Sequence, residues 1–238
     1  MSPPVPPFPK TAVIGATSFI GAHFLRACRA AHPDCIGTER IRTRPDLLAF
    51  DLLEPDITPL RLRETGHEQA LILAAVSRIE RCEREKEASR LVNVVGTLEL
   101  SRRLVASGIT PVFFSSDYVF DGECGGYEDE APANPVTEYG RQKAEVEANI
   151  DGVSGGKCLV IRLSKVFSLD RGSGTLLDEM AGRFSSGQPC RMAFDQVFSP
   201  TLVGDIVGAV TTLIGMKAAG IVNVCSPERW AMDGLALA

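Results

Sequence analysis

A tyrosine and a lysine four residues apart, Tyr139 and Lys143 in Tyr139-Gly-Arg-Gln-Lys143, are the residues of this chain best suited to acid chemistry. The spacing predicts that both share one face of a helix. A free phenol has a pKa of about 10, and a neighbouring ammonium favours the phenolate and draws that value toward neutral pH. Tyr139 is then a candidate general acid, and a hydroxyl such as Ser116 beside it would hold a carbonyl oxygen while the proton is delivered. The same spacing also suits a surface helix with a sideways-packed tyrosine and a solvated lysine, so the pair needs context. Tyr118 and Tyr127, the other tyrosines, have Gly122 and Ala131 at the fourth following place, so the pairing is no by-product of a surface rich in both types.

The elements that must carry these groups follow from pattern. Val112, Phe113 and Phe114 form an apolar run that meets Ser115, Ser116 and Asp117, as in a buried strand delivering small polar groups at its carboxyl end. Asn134, Pro135 and Thr137 signal the start of the helix carrying Tyr139, which is expected to stop near Asp151 and Gly152. Near the amino terminus, residues 10–14 read as a strand that runs into Gly15-Ala-Thr-Ser-Phe-Ile-Gly21 and an apolar-periodic helix over 19–31. In a dinucleotide-binding fold such glycines let the backbone turn and approach a pyrophosphate at the helix amino terminus. Ser18 stands at the middle glycine, where its hydroxyl could donate to that phosphate; a glycine-rich turn without ligand is the competing reading.

A second strand, 35–38, ends at Glu39 and Arg40, with Arg42 and Arg44 beyond. Glu39 could accept from a ribose 2′-hydroxyl, as NAD requires, and the arginines could hold a 2′-phosphate, as NADP requires; both remain open. Residues 47–51 read as a third strand, with Asp51 where an adenine would sit. The run 70–76 suits a strand buried on both faces, and its small terminal residues, Ala74 and Ala75 before Val76, leave room for a cofactor. Ser77 and Arg78 follow at its mouth. A long charged helix then carries Leu91, Val94, Val95 and Leu98 at helical spacing, with Asn93 among them. Residues 158–163 form another buried-type strand in which Arg162 would be costly unless paired. A helix over 174–186, a strand over 190–194, a turn over 197–201, a helix over 202–216 and a strand over 220–224 complete the pattern. This alternation predicts an α/β fold, a mostly parallel doubly wound sheet with ligands at the carboxyl ends of its strands, where Gly15, Ser77, Ser116 and Ser164 all fall.

Composition narrows the partners. The 238 residues are 45% hydrophobic and 23% charged, those of an ordinary folded chain, and suffice for one substantial core. A net charge of −5 and a pI near 5.3 argue against nucleic acid and anionic membrane, which leaves a small molecule. Seven cysteines with no CxxC or Cys/His cluster read as reduced thiols of a cytoplasmic protein, with no metal site. No run approaches a membrane span, and the proline-rich start lacks the regions of a signal peptide.

The run SSDYVFDG, then NPVTEYGRQKAEVE, VIRLSKVF and FSPTLVGDIV, in that order, resembles the extended short-chain dehydrogenase/reductase superfamily, and within it the dTDP-4-dehydrorhamnose reductase-like, sugar-nucleotide-binding branch. The resemblance runs over most of the chain and implies a Rossmann-type sheet with NADP or NAD as cofactor. It implies that Ser116, Tyr139 and Lys143 are the catalytic set: Tyr139 protonates the keto oxygen as hydride arrives, Lys143 lowers the phenol's pKa and holds the nicotinamide ribose, and Ser116 orients the carbonyl. It further implies that Gly15, Ser18, Phe19, Ile20, Asp51, Leu52, Ala74, Ala75 and Val166 line the cofactor site, alongside Gly21, Glu39, Arg40, Val76 and Ser115 at the same strand ends. Ser18 departs from the family's glycine, and Ser116 stands where relatives often have threonine. Members usually continue for several dozen further residues, so either a small, reduced carboxyl-terminal substrate lobe or a fragment of a longer chain is expected. The division that follows is a disordered leader over 1–9, an NAD(P)-binding domain over 10–166 to which 201–224 return, and a lobe made of 167–200 and 225–238. Tyr118 replaces the acidic residue that sugar-nucleotide dehydratases carry, which argues against dehydration. The expected function is reduction of a keto sugar nucleotide by NAD(P)H, in an enzyme that could form a homodimer. A cofactor-binding regulatory subunit like the methionine adenosyltransferase beta subunit, and a sugar-nucleotide epimerase, are the alternatives.

Overall fold

The computed structural model describes residues 8–190, 193 and 195–235. In chain order the first half carries β1 (Thr11–Ile14), α1 (Phe19–Ala31), β2 (Thr38–Glu39), β3 (Leu48–Ala49), β4 (Gln69–Ile72), α2 (Ile79–Arg84), α3 (Lys86–Arg90), a π-helical segment Leu91–Gly96, and α4 (Thr97–Ala106). Then come β5 (Thr110–Ser116), a 3-10 turn Asp117–Val119, α5 (Glu138–Ser154), β6 (Leu159–Leu163), β7 (Val166–Phe167) and α6 (Leu176–Ser185). The chain continues through β8 (Val197–Phe198), β9 (Thr201–Leu202), α7 (Val203–Gly215), β10 (Gly220–Val224), β11 (Trp230–Ala231) and α8 (Met232–Leu235).

Five strands form an all-parallel sheet in the order β1-β4-β5-β6-β10. Gly37 bridges Val13 in parallel and β2 pairs with β3, so that pair continues the sheet beyond β1. Chain order therefore reverses between β1 and β4, the place where an open α/β sheet leaves a crevice at its carboxyl edge. Alternate strand residues supply the two cores. Val13, Leu71, Val112, Phe114 and Ile161 pack with Phe24 of α1 and Ile206 and Val210 of α7. Ala12, Ile14, Ile72, Phe113 and Val160 pack instead with Leu100 of α4 and with Val146 and Ile150 of α5. This is the doubly wound arrangement that near-continuous apolar strands require, because both faces are covered. Among the described residues no helix is long and apolar enough to cross a membrane, and all seven cysteines are free thiols.

Several boundaries differ from the sequence reading. β4 leaves the ladder after Ile72 instead of running to Val76, because the N–H groups of both Leu73 and Ala74 turn back to the Ile14 carbonyl. The β2 ladder starts at Thr38, three residues later than predicted, and β3 is only two residues long. α5 runs past Gly152 to Ser154, since the left-handed cap is Gly155 at φ 62°. The long charged helix is interrupted by its π-helical segment, and the 197–201 turn contains strand β8. Most of the strand predicted at 190–194 and leader residues 1–7 lie outside the described residues; Phe8 is buried against Phe24, ring centroids 6.3 Å apart.

Candidate functional site: two clefts on either side of the end of β5

The turn after β1 is built for close approach. Gly15 has φ +93°, and a Cβ there would lie 2.6 Å from the backbone nitrogen of Ala74. Gly21, buried under the same turn, would meet the Gly15 carbonyl oxygen at 2.3 Å. Between them Ser18 caps α1: its hydroxyl donates to the Gly15 carbonyl at 2.8 Å and accepts from the Gly21 N–H at 3.1 Å. To donate to a phosphate, as the sequence suggested, Ser18 would exchange its bond to the Gly15 carbonyl for one to the ligand. Gly15→Ala is expected to cost about 1–3 kcal/mol from its backbone conformation alone. The clash with Ala74 adds to this, so a lower melting temperature should accompany loss of dinucleotide binding.

A cleft of about 600 Å³ opens beyond this turn. Of the predicted cofactor residues, Gly15, Ser18, Glu39, Arg40, Asp51, Leu52, Ala74, Ala75 and Val76 line it. Phe19, Ile20, Gly21, Ser115 and Val166 do not; Ile20 and Val166 pack against the core. Ser115 is buried, and its hydroxyl donates to the Glu147 carboxylate instead of facing the cleft. Thr17, Ser77, Arg78 and Arg81 complete a polar rim, of which sequence reading had singled out Ser77 and Arg78 only for their place at a strand mouth. Glu39 is buried, and the N–H of Arg44, with the hydroxyl and N–H of Thr43, holds its carboxyl below the usual carboxylate range. The turned-in glycines, the capped helix and the small residues of 74–76 fit an extended dinucleotide lying across the sheet edge.

A second cleft, also of about 600 Å³, lies beyond β5 and β6. Asp117, Tyr127, Arg162, Asn223 and Arg229 line it. The loop over it is tied down from below. Arg162 is paired with Glu147 at 2.7 Å and donates to the Asp129 carbonyl at 3.1 Å, and its guanidinium lies 4.8 Å over the Phe120 ring. Asn223 holds that loop by donating its side-chain N–H to the Tyr127 carbonyl and its backbone N–H to the Asp129 carboxylate. The pairing demanded by Arg162 was legible in the sequence, whereas its partner, one helical turn beyond Lys143, was not.

The expected catalytic residues line neither cleft; they sit at the strand end between them. Lys143 is buried and donates to the Phe114 carbonyl at 2.7 Å, with its nitrogen 5.6 Å from the centre of the Tyr139 ring. The Tyr139 ring meets that of Tyr118 edge-on at 6.0 Å, and Gly140 lets α5 approach so closely that a Cβ would lie 2.0 Å from the Tyr118 carbonyl oxygen. Ser116 starts the 3-10 turn; its hydroxyl donates to Asp117 at 3.1 Å and accepts from the Tyr118 N–H. Tyr139 and Lys143 are thus neighbours on one helical face, while Ser116 bonds to neither.

One electrostatic expectation is corrected. The Tyr139 phenol is pushed up, first by burial and then by the nearby Cys82, Asp117 and Tyr118, and the ammonium does not offset this. Lys143 itself is lowered from 10.5 to about 8, by burial, against which Glu147 pulls upward. Below pH 8 both folded and unfolded chains hold this proton, and the folded chain bears the whole cost of burying the charge. Between 8 and 10.5 only the folded state sheds it, so this group's contribution to stability rises with pH. The stability of Lys143→Met relative to the wild type should therefore fall by about 3 kcal/mol across that window, read from paired melting curves. A difference that does not change with pH would refute the assignment.

Asn93, which had passed as one residue of a charged helix, joins the two sides. The π-helical segment turns it inward, where it accepts from the Val76 N–H at 2.7 Å and donates to the Val76 carbonyl and to Gln142 of α5. The end of the first cleft is thereby clamped to the helix bearing Tyr139 and Lys143.

A family model described as "RmlD substrate binding domain" matches residues 10–224. The chain is 26% identical over 222 residues to "Probable low-salt glycan biosynthesis reductase Agl14" of Haloferax volcanii, covering 90% of this chain and 73% of that one. It is 28% identical over 204 residues to methionine adenosyltransferase 2 subunit beta of Danio rerio, covering 84% of this chain and 62% of that one, less than two thirds of that relative's length. Among solved structures, dTDP-4-dehydrorhamnose reductase from Bacillus anthracis in complex with NADP shares the fold, with a TM-score of 0.83 at 20% identity over 96% of this chain and 79% of the other.

Proposed function

Because this chain belongs to the RmlD substrate binding domain family, we propose that it is an NAD(P)H-dependent reductase of a keto sugar nucleotide. The first cleft takes the dinucleotide, the second takes the sugar nucleotide, and Tyr139, Lys143 and Ser116 act at the carbonyl between them. One observation carries this reading: a half-buried phenol and a buried lysine stand together on one helical face beside the end of β5, between a cleft lined from the ends of β1, β2 and β4 and another lined from the ends of β6 and β10.

The dinucleotide, when bound, supplies the hydride. Tyr139 supplies the proton, and its raised pKa keeps the phenol protonated until charge develops on the carbonyl oxygen. Lys143 has three N–H donors and spends one on the Phe114 carbonyl, which leaves two for the ribose and the phenol side. Ser116 exchanges its bond to Asp117 for one to the substrate oxygen. Arg162 and Asn223 hold the loop that walls the second cleft, so that the substrate meets a fixed surface. Incubation of the purified protein with NADPH or NADH and a dTDP-4-keto-6-deoxy sugar should consume the reduced cofactor. No oxidation of either cofactor across a panel of 4-keto sugar nucleotides would count decisively against reduction.

A second reading, a cofactor-binding subunit without turnover, is favoured by the likeness to the methionine adenosyltransferase subunit and by the absence of any Tyr139 bond to Lys143 or Ser116 among the described residues. Retention of a methionine adenosyltransferase catalytic subunit on this protein, with no cofactor consumption, would select it.

A further inference from the structure

We infer that Asp117 is a positioning residue for the proposed reduction: Ser116 presents its hydroxyl to the substrate carbonyl only when the Asp117 carboxyl holds a proton, which is taken up from solvent as a keto sugar nucleotide enters the second cleft. This role rests on the reductase reading above. A serine hydroxyl has one proton and two lone pairs. At Ser116 the proton goes to the Asp117 carboxylate at 3.1 Å, and one lone pair takes the Tyr118 N–H at 3.3 Å. What is left is a lone pair, which repels a carbonyl oxygen. A protonated Asp117 reverses the direction. Its O–H donates to the Ser116 oxygen, the Tyr118 N–H keeps its place, and the serine proton is released to the substrate, so every donor and acceptor of the hydroxyl is used. Turning Ser116 to the substrate beside an ionised Asp117 would instead strip a hydrogen bond from a partly buried carboxylate.

Asp117 is placed to respond to the substrate, because it lines the second cleft while Ser116 does not. The groups set about it are Ser164 and Lys165 after β6, Cys225 after β10, and the phenols of Tyr118 and Tyr139. Lys165, the one cation of this set, is exposed. Burial outweighs it and the two serine hydroxyls, and holds the Asp117 carboxyl above its ordinary value. A substrate that fills the cleft removes more water and favours the neutral acid further.

Titration calorimetry on the full chain with NADP+ or NAD+ and a dTDP-4-keto-6-deoxy sugar, a combination that cannot turn over, tests this in buffers of different ionisation heat at about pH 7, well above the ordinary carboxyl range. Sugar nucleotide binding should take up about one proton in the wild type and none in Asp117→Asn, whose amide donates to Ser116 at every pH. In steady-state reduction the wild-type kcat/KM, which reports the free protein, should fall by about ten-fold per pH unit above the Asp117 ionisation. The fall should lie below the Lys143 value of about 8. Asp117→Asn should give a flat profile there, and Ser116→Ala should lose most of the slope, because Asp117 acts through that hydroxyl. A merely structural Asp117 would change melting temperature and leave proton uptake and slope as they are. No uptake in the wild type, uptake that persists in Asp117→Asn, or a slope kept in full in Ser116→Ala would overturn this role. Uptake lost in Asp117→Asn without turnover in the wild type would support it and remove only the reduction; no binding of the sugar nucleotide would overturn both.

Discussion

Replacing Tyr139 by Phe is expected to lower the rate of keto sugar nucleotide reduction by about 10²–10⁴-fold, the usual contribution of a positioned general acid. The change removes one oxygen from a ring that packs edge-on against Tyr118 on a helix capped by Thr137, so α5 should be undisturbed. Burial and nearby negative charge hold the phenol well above its ordinary value, which makes it a reluctant acid until negative charge develops on the substrate oxygen beside it. The expected signature is therefore a fall in kcat with little change in KM or in NADPH affinity, the pattern of an interaction made in the transition state. Steady-state kinetics with calorimetric cofactor titration would show it. Turnover within a few-fold of wild type would remove Tyr139 from the chemistry, and retained binding without wild-type turnover would favour the regulatory-subunit reading.

The largest effect on stability is expected at Glu147. Its carboxylate takes the Arg162 guanidinium in two prongs, at 2.7 and 3.1 Å, and also receives the Ser115 hydroxyl, with both charged side chains 4% exposed. Glu147→Leu leaves a buried guanidinium without a counter-charge, which costs about 3–5 kcal/mol. In a chain of this size that lowers the melting temperature by roughly 6–20 °C. The double variant with Arg162→Met removes both charges and should recover much of the loss, because a buried ion pair contributes little against an apolar replacement. Part will not return, since Arg162 also holds the Asp129 carbonyl and stacks on Phe120. Differential scanning calorimetry on the three variants would test this; a double variant as unstable as the sum of the singles would sink the idea that an unpaired charge is the cause.

What the chain's own pattern determined was local. Apolar runs at 70–76, 112–114 and 158–163 were enough to place the central parallel strands and the helices between them, although the first leaves the ladder after Ile72. Gly15 and Gly21 were legible as close-approach positions, and Tyr139 with Lys143 as one helical face, because positive φ and a period of four are properties of a few consecutive residues. Partners distant in the chain were decided only by the fold. That Asn93 clamps Val76 to Gln142, that Arg162 finds Glu147, that Glu39 turns into its own loop while Arg40 faces the cleft, and that burial overrides the lysine at Tyr139 all depend on which elements pack together. Backbone preference acts over one turn, whereas desolvation and hydrogen-bond satisfaction are settled only when side chains from separate elements share a dry interior.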